Sequence, residues 1–223
     1  PDSPFYRIPI LLWACRHCYL DTIKFLVNER NASVDVFEED QIHQYHCLHE
    51  VCRGQDSSSI ENGENEIPDS KRVEILRFLI EEAGADITTL IDGSSLLDWA
   101  GLLGRFGVVK YILEEKNILK LEESRVAQYA AHKFHYDLLV YLIEKRHVPV
   151  RSVMEEFYYG VRESKEKELF HGLSSVRIQQ QTTRRSIVKA YLKGLLGAEY
   201  NSDKEEDNFP DTEESDSSFG EEE

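Results

Sequence analysis

Four stretches of this chain follow one order of residue types. In the first, Leu11-Leu12-Trp13-Ala14-Cys15 is followed by Tyr19-Leu20-Asp21-Thr22-Ile23-Lys24-Phe25-Leu26-Val27. The order returns at Leu97-Asp98-Trp99-Ala100-Gly101, with Val108-Val109-Lys110-Tyr111-Ile112-Leu113 behind it. It returns again at Ala127-Gln128-Tyr129-Ala130-Ala131, with Asp137 to Ile143 behind it. Ala100 and Ala130 lie 30 residues apart, and so do Lys110 and Val140. A further copy is split: Leu48 to Arg53 gives its first half and Val73 to Ile80 its second. Repetition at such a period marks units that cannot bury their apolar face alone and must stack. Each unit reads as a brief first helix with a small residue at its centre, then a second helix apolar at helical spacing. Isolated helices below roughly 12–15 residues are marginal in water, so stacking has to supply the stability. The expected fold class is all-α, with little or no strand.

Charge is distributed unevenly along this pattern. Residues 199–223 carry twelve acids against Lys204 alone, and 55–69 carry five acids and no base. Those two segments account for the whole formal net charge of −16, which leaves the rest of the chain neutral. Both are rich in Ser, Asn and Gly and poor in apolar residues, so burial cannot offset the entropy of ordering them. Disorder is expected in both. A neutral body with acidic arms does not suit the phosphate backbone, so nucleic acid is not an expected partner. No apolar run approaches the roughly 20 residues that span a bilayer, so no membrane partner is expected either. Four cysteines without a disulfide-rich pattern suit the reducing cytoplasm or the nucleus. The opening Pro1-Asp2-Ser3-Pro4 suggests a module of a longer protein, expected to be monomeric.

Particular residues carry a family resemblance. Glu82-Ala83-Gly84-Ala85-Asp86-Ile87 closely follows the G-A-D-V-N element of the ankyrin repeat, and Asn31-Ala32-Ser33-Val34-Asp35 follows it more loosely. Leu48-His49-Glu50-Val51-Cys52 follows the L-H-x-A segment, with Val for Ala. The chain resembles the ankyrin-repeat family over roughly 8–148. No copy holds the full T-P-L-H, and Cys18 and Phe134 stand where the turn glycine belongs, which is expected to distort those turns. The resemblance implies an ankyrin-like solenoid of helix-turn-helix units that binds proteins on a concave face of first helices. It also implies that His49 serves the backbone at a turn.

On this reading a stack occupies 1–172, with units at about 8–36, 45–87, 94–117 and 124–148. Residues 55–69 form an insert in the second unit, and 151–172 form a worn fifth unit split near Gly160. A capping helix then falls within 173–198, starting at Thr182 and stopping at Gly197. The acidic tail is 199–223.

Chemistry is sparse. Cys15-Arg16-His17-Cys18 and the nearby His43, His46, Cys47, His49 and Cys52 invite a zinc reading. The repeat register instead puts Cys15 and Cys52 at a small-residue core position, where a thiol behaves as a compact hydrophobe. No phosphate loop, G-x-S-x-G or H-E-x-x-H is present. The expectation is therefore no catalytic residue, no metal and no cofactor. Trp13 and Trp99 share a repeat position and are expected to be core wedges.

The partner surface is expected along the first helices. Arg16, His17, Arg53, Leu102, Leu103, His132 and Lys133 follow the small residues, and Leu12, His49, Asp98 and Gln128 lie one turn earlier. This mixed basic and apolar face suits an acidic or amphipathic protein segment. The tips 37–43, 90–94 and 119–124 are the second candidate surface. The alternative is a regulatory module whose acidic tail binds basic partners or folds back to autoinhibit the repeat surface. Ser202 and Ser218 each stand three residues before an acid, a pattern suited to phosphorylation that would add charge to that tail.

Overall fold

The computed structural model describes residues 9–35, 38–39, 44–54, 67–116, 125–170 and 175–196, with backbone alone at 38–39, 44, 164–170 and 175–178. Ten helices run through these residues. They are α1 (Ile10–Arg16), α2 (Leu20–Arg30), α3 (Cys47–Arg53), α4 (Asp69–Arg77), α5 (Leu96–Leu102), α6 (Phe106–Lys110), α7 (Val126–His132), α8 (Tyr136–Val140), α9 (Arg151–Phe170) and α10 (Ser175–Leu196). Three second helices run on into π-helical turns, α4 at Phe78–Glu82, α6 at Tyr111–Lys116 and α8 at Tyr141–Lys145. The fold is mostly helical. The departures among the described residues are a two-residue antiparallel pair, β1 (Glu38–Glu39) with β2 (Gln44–Tyr45), and an isolated bridge between Ile91 and Ser94.

Consecutive helices pack in pairs, α1 on α2, α3 on α4, α5 on α6 and α7 on α8. First helices then pack on one another in the order α1, α3, α5, α7, α9, while α4 packs on α6, and α10 lies against α8 and α9. One contiguous core threads all of them. Ala14, Ala100 and Ala130 are each fully buried within it, so the repeated small residue does one job, letting neighbouring first helices approach. On α9 the same need is met by Gly160, where a methyl group would collide with the carbonyl of His132 on α7.

The turns between paired helices repeat as well. Cys18, Gly54, Gly104 and Phe134 occupy equivalent positions and all have positive φ, of 53°, 65°, 66° and 60°, with Gly54 at ψ −167° in a region open to glycine. Expected distortion at Cys18 and Phe134 is thus absent. Both side chains are buried there, and that burial offsets a backbone cost of about 1–2 kcal/mol.

Hydrogen bonds tie successive units at matched positions. Tyr111 Oη donates to Glu81 at 3.4 Å, Tyr141 Oη to Glu114 at 3.1 Å and Tyr191 Oη to Glu144 at 3.2 Å. Burial, with the carboxylate alongside, raises the pKa of all three phenols, that of Tyr191 to about 12. The position six residues ahead of Phe78, Tyr111 and Tyr141 reaches back to an earlier helix end. Arg105 Nε donates to Cys52 O at 3.1 Å, and His135 Nε2 lies 3.1 Å from Leu102 O. Arg72, at the same position, is buried and donates to Val51 O at 2.6 Å. Each satisfies a carbonyl that a helix C-terminus leaves without an intrahelical partner.

Three boundaries differ from the sequence reading. The worn unit split near Gly160 is one unbroken helix, α9, because Gly160 serves close packing and does not end a helix. The last helix starts at Ser175, ahead of Thr182. The insert does not reach residue 69, since Asp69 opens α4 behind Pro68. The acidic stretch 55–66, the tail 199–223 and the tip 119–124 lie outside the described residues, as does the tip 37–43 apart from the backbone of Glu38–Glu39.

Candidate functional site

The first helices α1, α3, α5, α7 and α9 form a row, and the residues at their C-terminal ends occupy one side of it. Three of the anticipated surface residues are not on that side. Leu12, His49 and Asp98 are buried, because the position one turn earlier points into the joints between units. Asp98 closes a capping box with Ser95: its Oδ2 accepts from Ser95 N at 3.0 Å, and Ser95 Oγ accepts from Asp98 N at 3.2 Å. Its other oxygen accepts from Arg125 N at 2.6 Å, which pins the start of α7. His49 is kept neutral, its pKa pushed down to about 3 by burial and by neighbouring His46. Neither of its ring nitrogens has a hydrogen bond of ordinary geometry, although the Ser94 backbone lies close enough to act on its charge. His46 caps α3 by accepting from Leu48 N, and its other nitrogen faces Asp35 at 3.3 Å. Gln128 is half-buried.

Arg16, His17, Arg53, Leu102, Leu103, His132 and Lys133 are half-buried along the row. Glu50, itself buried, holds Arg16 Nε at 2.5 Å and Arg53 Nη1 at 3.4 Å. The Arg53 guanidinium lies 5.9 Å from the Tyr45 ring and 5.2 Å from the Trp99 ring, and Arg16 lies 5.7 Å from Tyr45. These separations fall within the range of cation–π attraction. Farther along, Arg125 lies 5.1 Å from the Tyr129 ring and Arg162 lies 5.2 Å from Tyr159. His132 Nε2 contacts Glu163 at 2.6 Å, and Lys133 contacts the same carboxylate at 3.0 Å. The surface is therefore a row of aromatic rings and guanidinium groups whose charge is largely balanced by carboxylates of its own.

Sequence reasoning missed the aromatic half of this surface. Trp13, Trp99 and Tyr129 precede the repeated alanine and form a legible column, but Trp13 is 43% exposed and Trp99 half-buried, so neither is a core wedge. Glu50 falls in the same column. Tyr45 and Tyr159 carry no repeat signal, since one sits in β2 and the other on the long α9.

Other chemistry is muted. Cys15, Cys18, Cys47 and Cys52 are free and buried. Burial pushes the Cys52 thiol up to about 12 and raises Cys18, while Cys15 is raised by its hydrogen bond with Cys47 and by burial. Such thiols are poor nucleophiles and poor ligands. Among the described residues, no group of His, Cys, Asp and Glu side chains is placed to hold a metal ion, and no helix is long and apolar enough to cross a membrane. The tip 90–94 is a tight turn: Ile91 pairs with Ser94, while Asp92 and Gly93 both have positive φ. That is the demand of a type I′ turn, which Asp-Gly meets.

No model of a known protein family matches the chain, and no curated protein matches it.

Proposed function

We propose that this chain is a non-catalytic protein-interaction module, an ankyrin-type solenoid whose first-helix row binds an acidic or amphipathic segment of a partner protein. The observation that carries the reading is the run Arg16, Tyr45, Arg53 and Trp99, continued by Tyr129 and His132, across β2 and the packed helices α1, α3, α5 and α7. Aromatic residues and arginine supply most of the energy at protein interfaces, and here they sit on rigid elements. The ankyrin resemblance gains support from the left-handed residues ending three second helices, Asn31, Gly84 and His147, at the place of the G-A-D element. It gains more from Asp35 Oδ1 accepting from Asp86 N at 3.1 Å, which joins the equivalent tips of two units.

The test is selection of displayed peptides rich in Asp, Glu, Leu and Phe against the full chain. Selected peptides should lose roughly tenfold to a hundredfold in affinity on Arg53→Ala or Trp99→Ala. They should be indifferent to Lys110→Ala on the second-helix side. Binders that ignore both face substitutions would sink the proposal. Removing 199–223 would report on the autoinhibitory reading of the tail: tighter binding at low salt supports it, and unchanged binding excludes it.

A further inference from the structure

The internal repeats show what each face of a unit packs against, and at the first unit that comparison leaves three contacts unmade. Helix α1 opens with Ile10, which is 65% exposed, whereas its counterparts Cys47, Leu96 and Val126 are each 0% exposed. Two of those counterparts meet the small residue of the preceding unit: a methyl group added at Gly101 would lie 2.7 Å from Val126, and the Cys47 thiol is close enough to Cys15 to raise its pKa. In α2, Phe25 is 49% exposed, whereas Phe78, Tyr111 and Tyr141 at the same position are 3%, 2% and 7% exposed. The first and second units also send a cation toward the next unit's ring, Lys24 lying 5.4 Å from Phe78 and Arg77 lying 5.5 Å from Tyr111. Tyr19 is 45% exposed at the position from which Arg105 and His135 reach the preceding first helix.

We propose that the outer face of α1 and α2 is an interface for one more helix pair of the same build, stacked on Ile10, Tyr19 and Phe25 in the register of the internal joints. Terminal units of a stack need a polar outer face to remain soluble, and this face instead presents an aliphatic residue and two aromatic ones at positions buried everywhere else. The occupant follows from continuity with the joints on the page. It offers a small residue to Ile10, the C-terminal carbonyls of its first helix to the Tyr19 hydroxyl, and an apolar groove to Phe25. A second copy of this chain does not meet these terms. Its last unit has an unbroken α9, with no helix end at the required place. The inference needs only the equivalence of positions and is independent of the partner reading of the first-helix row.

The experiment grafts a copy of residues 94–124 ahead of Pro9 in the full chain and follows hydrogen exchange of the copy and of α2, with and without Phe25→Glu. The expected result is a copy whose amides exchange at least about tenfold more slowly than in the isolated peptide, with that protection and the added protection of α2 lost in Phe25→Glu. A copy left unprotected overturns the proposal, because inside the chain the same sequence is ordered by stacking on the unit that follows it, and at Phe25 it forgoes only the Glu114–Tyr141 hydrogen bond. Protection indifferent to Phe25→Glu overturns it as well. In the ungrafted chain two results would name another occupant and so overturn it: dimerisation abolished by Phe25→Glu, or protection of α2 lost on removing residues 1–8.

Discussion

The second unit and the fourth solve the same problem by different means. In the fourth, α7 and α8 are joined by Lys133-Phe134-His135, a turn so short that the left-handed Phe134 fixes both helices. In the second, α3 and α4 are separated in sequence by residues 54–68, and Gly54 at the matching place has φ of 65° with ψ of −167°. Arg72 takes over there. Its guanidinium crosses from α4 to Val51 O, packs on Gly54 so closely that a methyl group there would lie 2.7 Å from Nη1, and faces Asp69 at 3.7 Å. Asp69 in turn accepts from Gly107 N at 2.7 Å, at the start of α6. Where the backbone connection is long, a buried side chain supplies the closure that a tight turn supplies elsewhere.

Removing that side chain is the most direct way to break the comparison. Arg72→Met keeps apolar volume but leaves Val51 O with only the long contact from Cys18 Sγ at 4.0 Å, and should destabilise the chain by about 3 kcal/mol in urea unfolding. Arg105→Met, at the equivalent but half-buried position above a tight turn, should cost about 1 kcal/mol. Equal losses would mean that the insert makes no special demand on Arg72.

Acid sharpens the contrast from the other side. His135 stands where the second unit has Arg72, and burial lowers its pKa, as it does for His46 and, to about 3, for His49. A histidine whose folded pKa is depressed binds its proton more readily when unfolded, so its contribution is whole above about pH 6.5 and is lost as pH falls toward the folded value. Stability should therefore drop from pH 6.5 downward by up to about 1.4 kcal/mol per unit for each such histidine, most persistently for His49. His135→Gln should flatten that slope, whereas Arg72→Met should lower the curve without changing its slope. Thermal unfolding across pH 4 to 7 reads both.

Smaller effects bear on the turns themselves. Gly104→Ala must accept a positive φ and push aside the His135 ring, for a loss of about 2 kcal/mol. Gly84→Ala, with nothing within 4 Å of an added methyl group, should lose only the backbone share, about 1 kcal/mol. Replacing 55–66 by a short Gly-Ser linker should shift stability by less than about 1 kcal/mol, since closure entropy changes slowly with loop length. A larger loss would show that the insert packs on the stack.

The helix pairs were legible because their apolar residues recur at helical spacing, as around Lys24, Lys110 and Val140, and because one alanine marks each first helix. Gly160 misled for a physical reason: a glycine that permits close approach and a glycine that ends a helix look alike until the neighbour, here His132, is known. The start of α10 was hidden because Gln179 to Thr183 carry no apolar stripe. At the candidate surface, Arg16, Arg53 and His132 could be placed from register alone. His49 and Asp98 could not, because their side chains turn toward Ser94 and Arg125, which belong to other segments. Tyr45 became part of the surface only through contacts between elements, whereas Glu50, legible in the column of Trp13 and Trp99, is buried against Arg16 and Arg53.

The tyrosine–carboxylate pairs bear on how such a chain could have grown. Glu81, Glu114 and Glu144 each look toward a phenol of the following unit, at Tyr111, Tyr141 and Tyr191. A gene segment encoding the third unit, copied in tandem, would arrive with its own phenol for the carboxylate before it and its own carboxylate for the phenol after it. Duplication or loss of a whole unit there would orphan no partner. The joint between the first and second units is written differently: Asn28 stands in the carboxylate's place, and Phe78, which has no hydroxyl to donate, stands in the phenol's. Both halves of the exchange are missing together, so a copy of the third unit inserted at that joint would leave its phenol facing Asn28 and its carboxylate facing Phe78. The chain therefore has one stretch where a copied unit would find both its partners and another where it would find neither.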